Sequence, residues 1–309
     1  MEIATKRLVW ADIARVLAIY LVIVVHTESS PQVLPMLGVP IFVMLSGALL
    51  LGKSENYSEF WSKRLVRLLR PWIFWALVIS IFDIFVNKTS FNLLFSYFRS
   101  NFITIWFLPM IFGLYLLTPA LRIFVKYAKA RDLWIVIALW FLTISVLPFF
   151  RNTSAFPLFS DNGFVRQVMQ FLGYYLLGYA ITKQKQGGKM AGLLFIVIGL
   201  LITEIMGRSG TFVLYYQAPG IVLIAYGLFR LLFDYRNNFQ KLITGKYSSF
   251  LAAVSKTSLG VYLLQGMILA FLPISDPSGG WFKGAILFGL STSVVFLLQK
   301  IPILGKWVA

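Results

Sequence analysis

Stretches of mainly apolar residues follow one another from end to end of this chain, each near the roughly 20 residues that a helix needs to cross a bilayer. Ten can be marked, at 8–28, 35–52, 70–87, 102–121, 132–150, 164–182, 190–206, 211–232, 250–272 and 281–300. The segments between them, the longest near 151–163 and 233–249, are too short to bury a core of their own. The pattern predicts an all-α polytopic membrane protein with about ten transmembrane helices, a single integral-membrane domain over 1–309 and no soluble extracytoplasmic domain. The first span is not expected to be a cleaved signal peptide, because Asp12 and Arg15 interrupt it and no small-x-small site precedes Pro31.

Composition agrees with this reading. Of 309 residues, 59% are apolar and 13% charged, a balance whose apolar surface a soluble fold could not cover. The absence of cysteine excludes disulfide scaffolds, thiolate metal sites and cysteine nucleophiles. A net charge of +17 would suggest nucleic acid in a soluble protein, so its placement decides. With a cytoplasmic N-terminus, ten spans return the C-terminus to the same side. Twenty-one of the 28 basic residues then fall on cytoplasmic segments, six on outer ones, and Arg15 lies within the first span. That asymmetry is the positive-inside signature, so nucleic acid drops out as a partner and membrane lipids replace it.

Charged side chains inside a span cost several kcal/mol on insertion scales and need a partner or a task. The first span holds Asp12, Arg15 and, at its outer end, His26 and Glu28. Arg15 and His26, the chain's only histidine, are eleven residues apart, which places them within about 20° of one helical face and about 16 Å apart along it. Asp12, three residues before Arg15, can pair with it. This set reads either as an interfacial ion pair plus an outer anchor, or as a stripe leading to an imidazole able to take a proton at neutral pH.

Arg64, Arg67 and Arg70 recur every third residue before Pro71, where a helix joint is expected. They suit cytoplasmic topology and anionic-lipid contact, or a clamp whose guanidinium forks bind phosphate. Ser46-Gly47, inside the second span, permits a close helix approach. Trp106 is either an interfacial aromatic or a platform for a sugar ring, and Pro109 and Pro119 are expected kinks. Glu204 and Asp83 are further candidates for a polar cavity.

Taken together, Arg15-x10-His26, the PIFVMLSGALL stretch around Ser46, Arg64-x2-Arg67, WFLP with Trp106, YLLTP and TSLGVYLLQ resemble the integral-membrane acyltransferase 3 family over most of the chain. The resemblance implies a bacterial multi-pass plasma-membrane enzyme. It would move an acyl group, acetyl by expectation, from cytoplasmic acyl-CoA (acetyl-CoA) to a hydroxyl of a surface polysaccharide or lipid-linked glycan. His26 would be the catalytic residue, supported by Arg15, and Arg64 and Arg67 would bind the acyl-CoA, with Arg70 beside them. Arg15 or Ser46 is the candidate oxyanion donor. Trp106, Glu28 and Glu204 are candidates for the acceptor site, and no metal is expected. The family often carries a histidine where TSLGVYLLQ ends, whereas here Gln265 stands, so a two-histidine mechanism is impossible. The competing expectation is an exporter or flippase of a glycan-lipid or polysaccharide, its inner arginines holding diphosphate headgroups.

Overall fold

The computed structural model describes residues 7–27, 32–88, 90–150, 163–185, 188–208, 215–271, 280–302 and 304–308. Its first helix, α1 (Val9–Thr27), contains neither glycine nor proline and carries buried residues around most of its circumference, from Trp10, Ala14 and Ala18 to Ile23 and Val24. A helix apolar all round belongs inside a bundle, and α1 is packed on several sides. It lies against α2 (Gly38–Leu50), α12 (Gly245–Leu269) and α13 (Gly280–Gln299). Trp10 meets Phe229 and Phe233 of α10 (Pro219–Asp234) edge to face, with ring centroids 5.8 and 5.4 Å away. At the other end, the Thr27 hydroxyl donates to the Gly280 carbonyl at 2.8 Å.

Between α2 and α12 the chain forms α3 (Tyr57–Asn87), α4 (Leu94–Thr104), α5 (Phe107–Tyr127), α6 (Ala130–Trp140), a π-helical turn (Phe141–Val146), α7 (Leu147–Phe150), α8 (Phe164–Lys183), α9 (Lys189–Arg208), α10 and α11 (Arg236–Leu242). A last short helix, α14 (Gly305–Val308), returns to α3, where the Trp75 indole donates to the Val308 carbonyl at 3.0 Å. No strand occurs among the described residues. Helical residues occur in each of the ten apolar stretches, and among the described residues six helices (α1, α3, α5, α9, α12 and α13), fewer than the ten spans expected, are long and apolar enough to cross a membrane. On α9, Leu193, Leu194, Val197, Leu201 and Ile205 are exposed, the arrangement expected of a face turned to lipid.

Two expectations about proline are corrected. Pro71 sits inside one unbroken helix rather than at a joint, because a proline removes a single hydrogen bond and packing on both sides carries the helix through. At about 46 Å, α3 exceeds the thickness of the hydrocarbon core, so its arginine-bearing first turns can project past the apolar layer. Pro109 lies in the first turn of α5, where its missing N–H had no intrahelical partner to lose, so only Pro119 is interior.

Close approach of α2 and α8 depends on Gly47 and Gly178. A methyl carbon on Gly47 would stand 1.8 Å from the Tyr175 carbonyl oxygen, and one on Gly178 1.9 Å from that of Met44. Gly47→Val should therefore lower the thermal unfolding midpoint of the purified protein by the equivalent of about 1–3 kcal/mol. Gly266→Ala on α12, where nothing lies within 4 Å, should leave the midpoint unchanged. Equal midpoints for Gly47→Val and the parent would contradict the packing described here.

Candidate functional site

Five helices turn one stripe each toward a common cavity of about 650 Å³. Arg15 and Val22 come from α1, Val39, Phe42 and Ser46 from α2, and Arg64, Arg67 and Leu68 from α3. Helix α5 supplies Phe107, Ile111 and Tyr115, while α12 supplies Ser255, Lys256, Ser258, Leu259 and Tyr262; Gln299 and Gly305 complete the wall. The spacings of three, four and seven follow from the helical repeat.

Polar and apolar lining are segregated. Arg15 donates from Nη1 to the Ser255 hydroxyl at 2.8 Å and lies 3.5 Å from the Asp12 carboxylate, which Arg7 approaches to 2.7 Å. Tyr115 is within electrostatic reach of Ser46, Arg15, Arg64 and Arg67, so these five residues share one end. At the other end, Phe107 stacks obliquely on Phe42 (6.1 Å) and meets Tyr262 (5.4 Å). The wall carries Arg15, Arg64, Arg67 and Lys256 but no acidic residue among the described residues that line it. Such a space suits a ligand with an anionic head and a less polar arm.

The polar end is closed by Arg122 of α5, whose side chain is 8% exposed. Its Nε donates to the Leu50 carbonyl at 3.0 Å, its Nη2 to the Glu55 carboxylate at 2.9 Å, and its guanidinium stands 4.5 Å over the Phe60 ring. Arg64 lies 4.0 Å from the same carboxylate. Burial alone would raise the Glu55 carboxyl, but the Arg122 hydrogen bond and the charges of Arg64, Arg122 and Lys53 hold it below its ordinary 4.5. Burial and the cations around it lower the Lys53 ammonium.

Of the residues expected from the sequence, Arg15, Ser46, Arg64 and Arg67 meet in this cavity, and Asp12 pairs with Arg15. Arg70 does not join them. Each step of three residues falls 60° short of a full turn, so Arg70 lies about 120° round α3 from Arg64 and is exposed. The Ser46 hydroxyl is given to the Phe42 carbonyl at 3.0 Å. His26 is exposed and lies one turn beyond Val22 on the same stripe of α1, and is not among the residues that line the cavity. Trp106 is part of an aromatic cluster with Phe171 (5.7 Å) and Tyr216 (5.5 Å) instead of lining the cavity. Glu204 is on an exposed face of α9 and Asp83 on a half-buried one of α3, both away from the cavity wall; Glu28 falls outside the described residues.

Tyr115, Arg122, Ser255 and Lys256 were not anticipated. The signal for the first two was present, since Phe107, Ile111, Tyr115, Thr118 and Arg122 form a continuous stripe at helical spacing on α5. A family model for an acyltransferase domain, acyltransferase 3, matches residues 8–300. No curated protein and no solved structure matches the chain.

The Glu55 network should show in acid. A carboxylate whose folded value is depressed stabilises the fold fully above its ordinary value and loses that contribution as pH falls through the depressed one. The thermal midpoint of the parent should fall more steeply than that of Glu55→Gln below pH 4.5. Parallel curves would remove Glu55 from the set of stabilising ion pairs.

Proposed function

The chain belongs to the acyltransferase 3 family, and we propose from this that it is a multi-pass bacterial plasma-membrane O-acyltransferase with ten spans and both termini cytoplasmic. It moves an acyl group, acetyl by preference, from cytoplasmic acyl-CoA to a hydroxyl of a surface polysaccharide or lipid-linked glycan. The observation that carries this reading is the segregated cavity: Arg15, Arg64, Arg67 and Lys256 stand in its wall with no carboxylate among the described lining residues, and apolar side chains and rings fill the end away from the arginines. Guanidinium forks suit the phosphates of the donor, and the apolar half suits its arm.

In this reading the phosphates rest among Arg15, Arg64, Arg67 and Lys256, and the arm follows the α1 stripe past Val22 toward His26. His26 accepts the proton of the acceptor hydroxyl as its oxygen attacks the thioester carbon. The carbon–sulfur bond then breaks, the proton passes to the leaving sulfur, and ester and free thiol are released. About 16 Å of helix between Arg15 and His26 separates holding the donor from taking the proton, so Arg15 serves here as a donor-binding cation. Ser46, whose hydroxyl donates to the Phe42 carbonyl and lies beside Tyr115, shapes the donor seat. Gln265 is buried on α12, ten residues past the Arg15–Ser255 contact, as His26 is eleven residues past it on α1.

Three measurements on protein in lipid nanodiscs or proteoliposomes test this. Labelled acyl-CoA with a glycan acceptor should give thiol release and label on the acceptor; neither product with any acceptor would instead favour export of a glycan-lipid. His26→Ala should abolish transfer while acyl-CoA affinity stays within about twofold, and full activity would end the general-base role. Replacing Arg64 and Arg67 together by Gln should weaken acyl-CoA binding by at least tenfold, at roughly 1.5–3 kcal/mol for each charge-assisted bond, with Arg70→Gln as the unaffected control.

A further inference from the structure

Where α2, α3 and α5 meet at the polar end of the cavity, the cations outnumber their partner. Arg122, Arg64 and Lys53 surround one carboxylate, that of Glu55. Two guanidinium nitrogens there, Arg122 Nη1 and Arg64 Nε, are buried and meet no acceptor among the described residues. Arg122 is itself more than nine-tenths buried, and among the described residues its neighbours offer it a backbone carbonyl, one carboxylate and the face of Phe60. Buried cationic N–H groups are ordinarily paired, so two idle ones on guanidinium groups that flank the same carboxylate call for an acceptor that arrives from outside.

The position of these donors says which kind. Arg122 continues the α5 stripe of Phe107, Ile111 and Tyr115 that lines the cavity, and Arg64 belongs to both the cavity wall and the Glu55 pair. A second carboxylate could answer both idle N–H groups but would bring a single negative charge, leaving three cations against two. A phosphate monoester brings three acceptor oxygens and a charge of about −1.5 to −2, enough for both idle donors and the excess positive charge. We propose that Arg122, Arg64 and Lys53 form a seat for a terminal phosphate monoester, which Glu55 fills when the ligand is absent. This rests on the acyl-CoA reading, in which the monoester is the donor's ribose 3′-phosphate; the same chemistry is offered by phosphatidic acid.

The test is binding of CoA and dephospho-CoA, which lacks that phosphate, to the full-length protein in nanodiscs. The parent should prefer CoA by at least tenfold. Arg122→Met should erase the preference by lowering CoA affinity alone, and Glu55→Gln should raise CoA affinity several-fold without changing that for dephospho-CoA. Equal affinities in the parent overturn the seat while leaving the acyl-CoA reading in place. Binding of neither nucleotide overturns that reading; the seat then stands only if phosphatidic acid raises the thermal midpoint of the parent and not of Arg122→Met, and falls if it does not. Should Arg122→Met fail to fold, Glu55→Gln carries the nucleotide test, and an unchanged CoA affinity overturns the proposal.

Discussion

Arg15 lies two turns inside a helix that is apolar around most of its circumference, and a guanidinium there must be answered by whatever packs against it. Asp12 answers on the same helix and Ser255 from α12. The consequence reaches beyond the pair. The Arg15–Ser255 contact ties α1 to α12, and with that register set, Val22 and Tyr262 border the same cavity farther along. Arg7, on the far side of Asp12, leaves Arg15 less than a full counter-charge, so the cavity keeps a positive potential.

The same economy of counter-charge governs the rest of the polar end. Among Arg15, Arg64, Arg67, Lys256 and Arg122, the carboxylates within pairing distance are Asp12 and Glu55. Elsewhere charge is matched inside the bundle: Arg230 is buried against Asp234 on α10 and also bonds Gln184 and the Lys185 carbonyl, so each of its three guanidinium nitrogens is closed off by an acceptor and α10 is joined to the end of α8. The contrast between a closed pair and an open cluster is what marks one as structural and the other as a place for an anion.

Much of this was legible in one dimension. Apolar length predicts the helices, and the Arg15 stripe and the Arg64–Arg67 pair fall where the cavity forms, because helical periodicity alone puts i, i+3, i+4 and i+7 on one face. The departures have equally local causes. Arg70 looks like a third member of a series until the 60° shortfall per step is added up, and Pro71 looks like a break until packing on both sides is known. Trp106 carries the same indole whether it faces a cleft or, as here, Phe171 and Tyr216.

The sequence by itself determined an all-helical, membrane-suited chain and the face that Arg15 shares with His26. These depend on side-chain chemistry and a fixed 100° step, both local. Tertiary structure decided which charges are answered and which are left open. Glu55 and Arg122 are 67 residues apart and Arg15 and Ser255 are 240 apart, and nothing local says that they meet. It also decided that His26 stands beyond the cavity wall while Tyr115 stands in it, because the depth of a residue in a bundle is set by how neighbouring helices are offset along their axes.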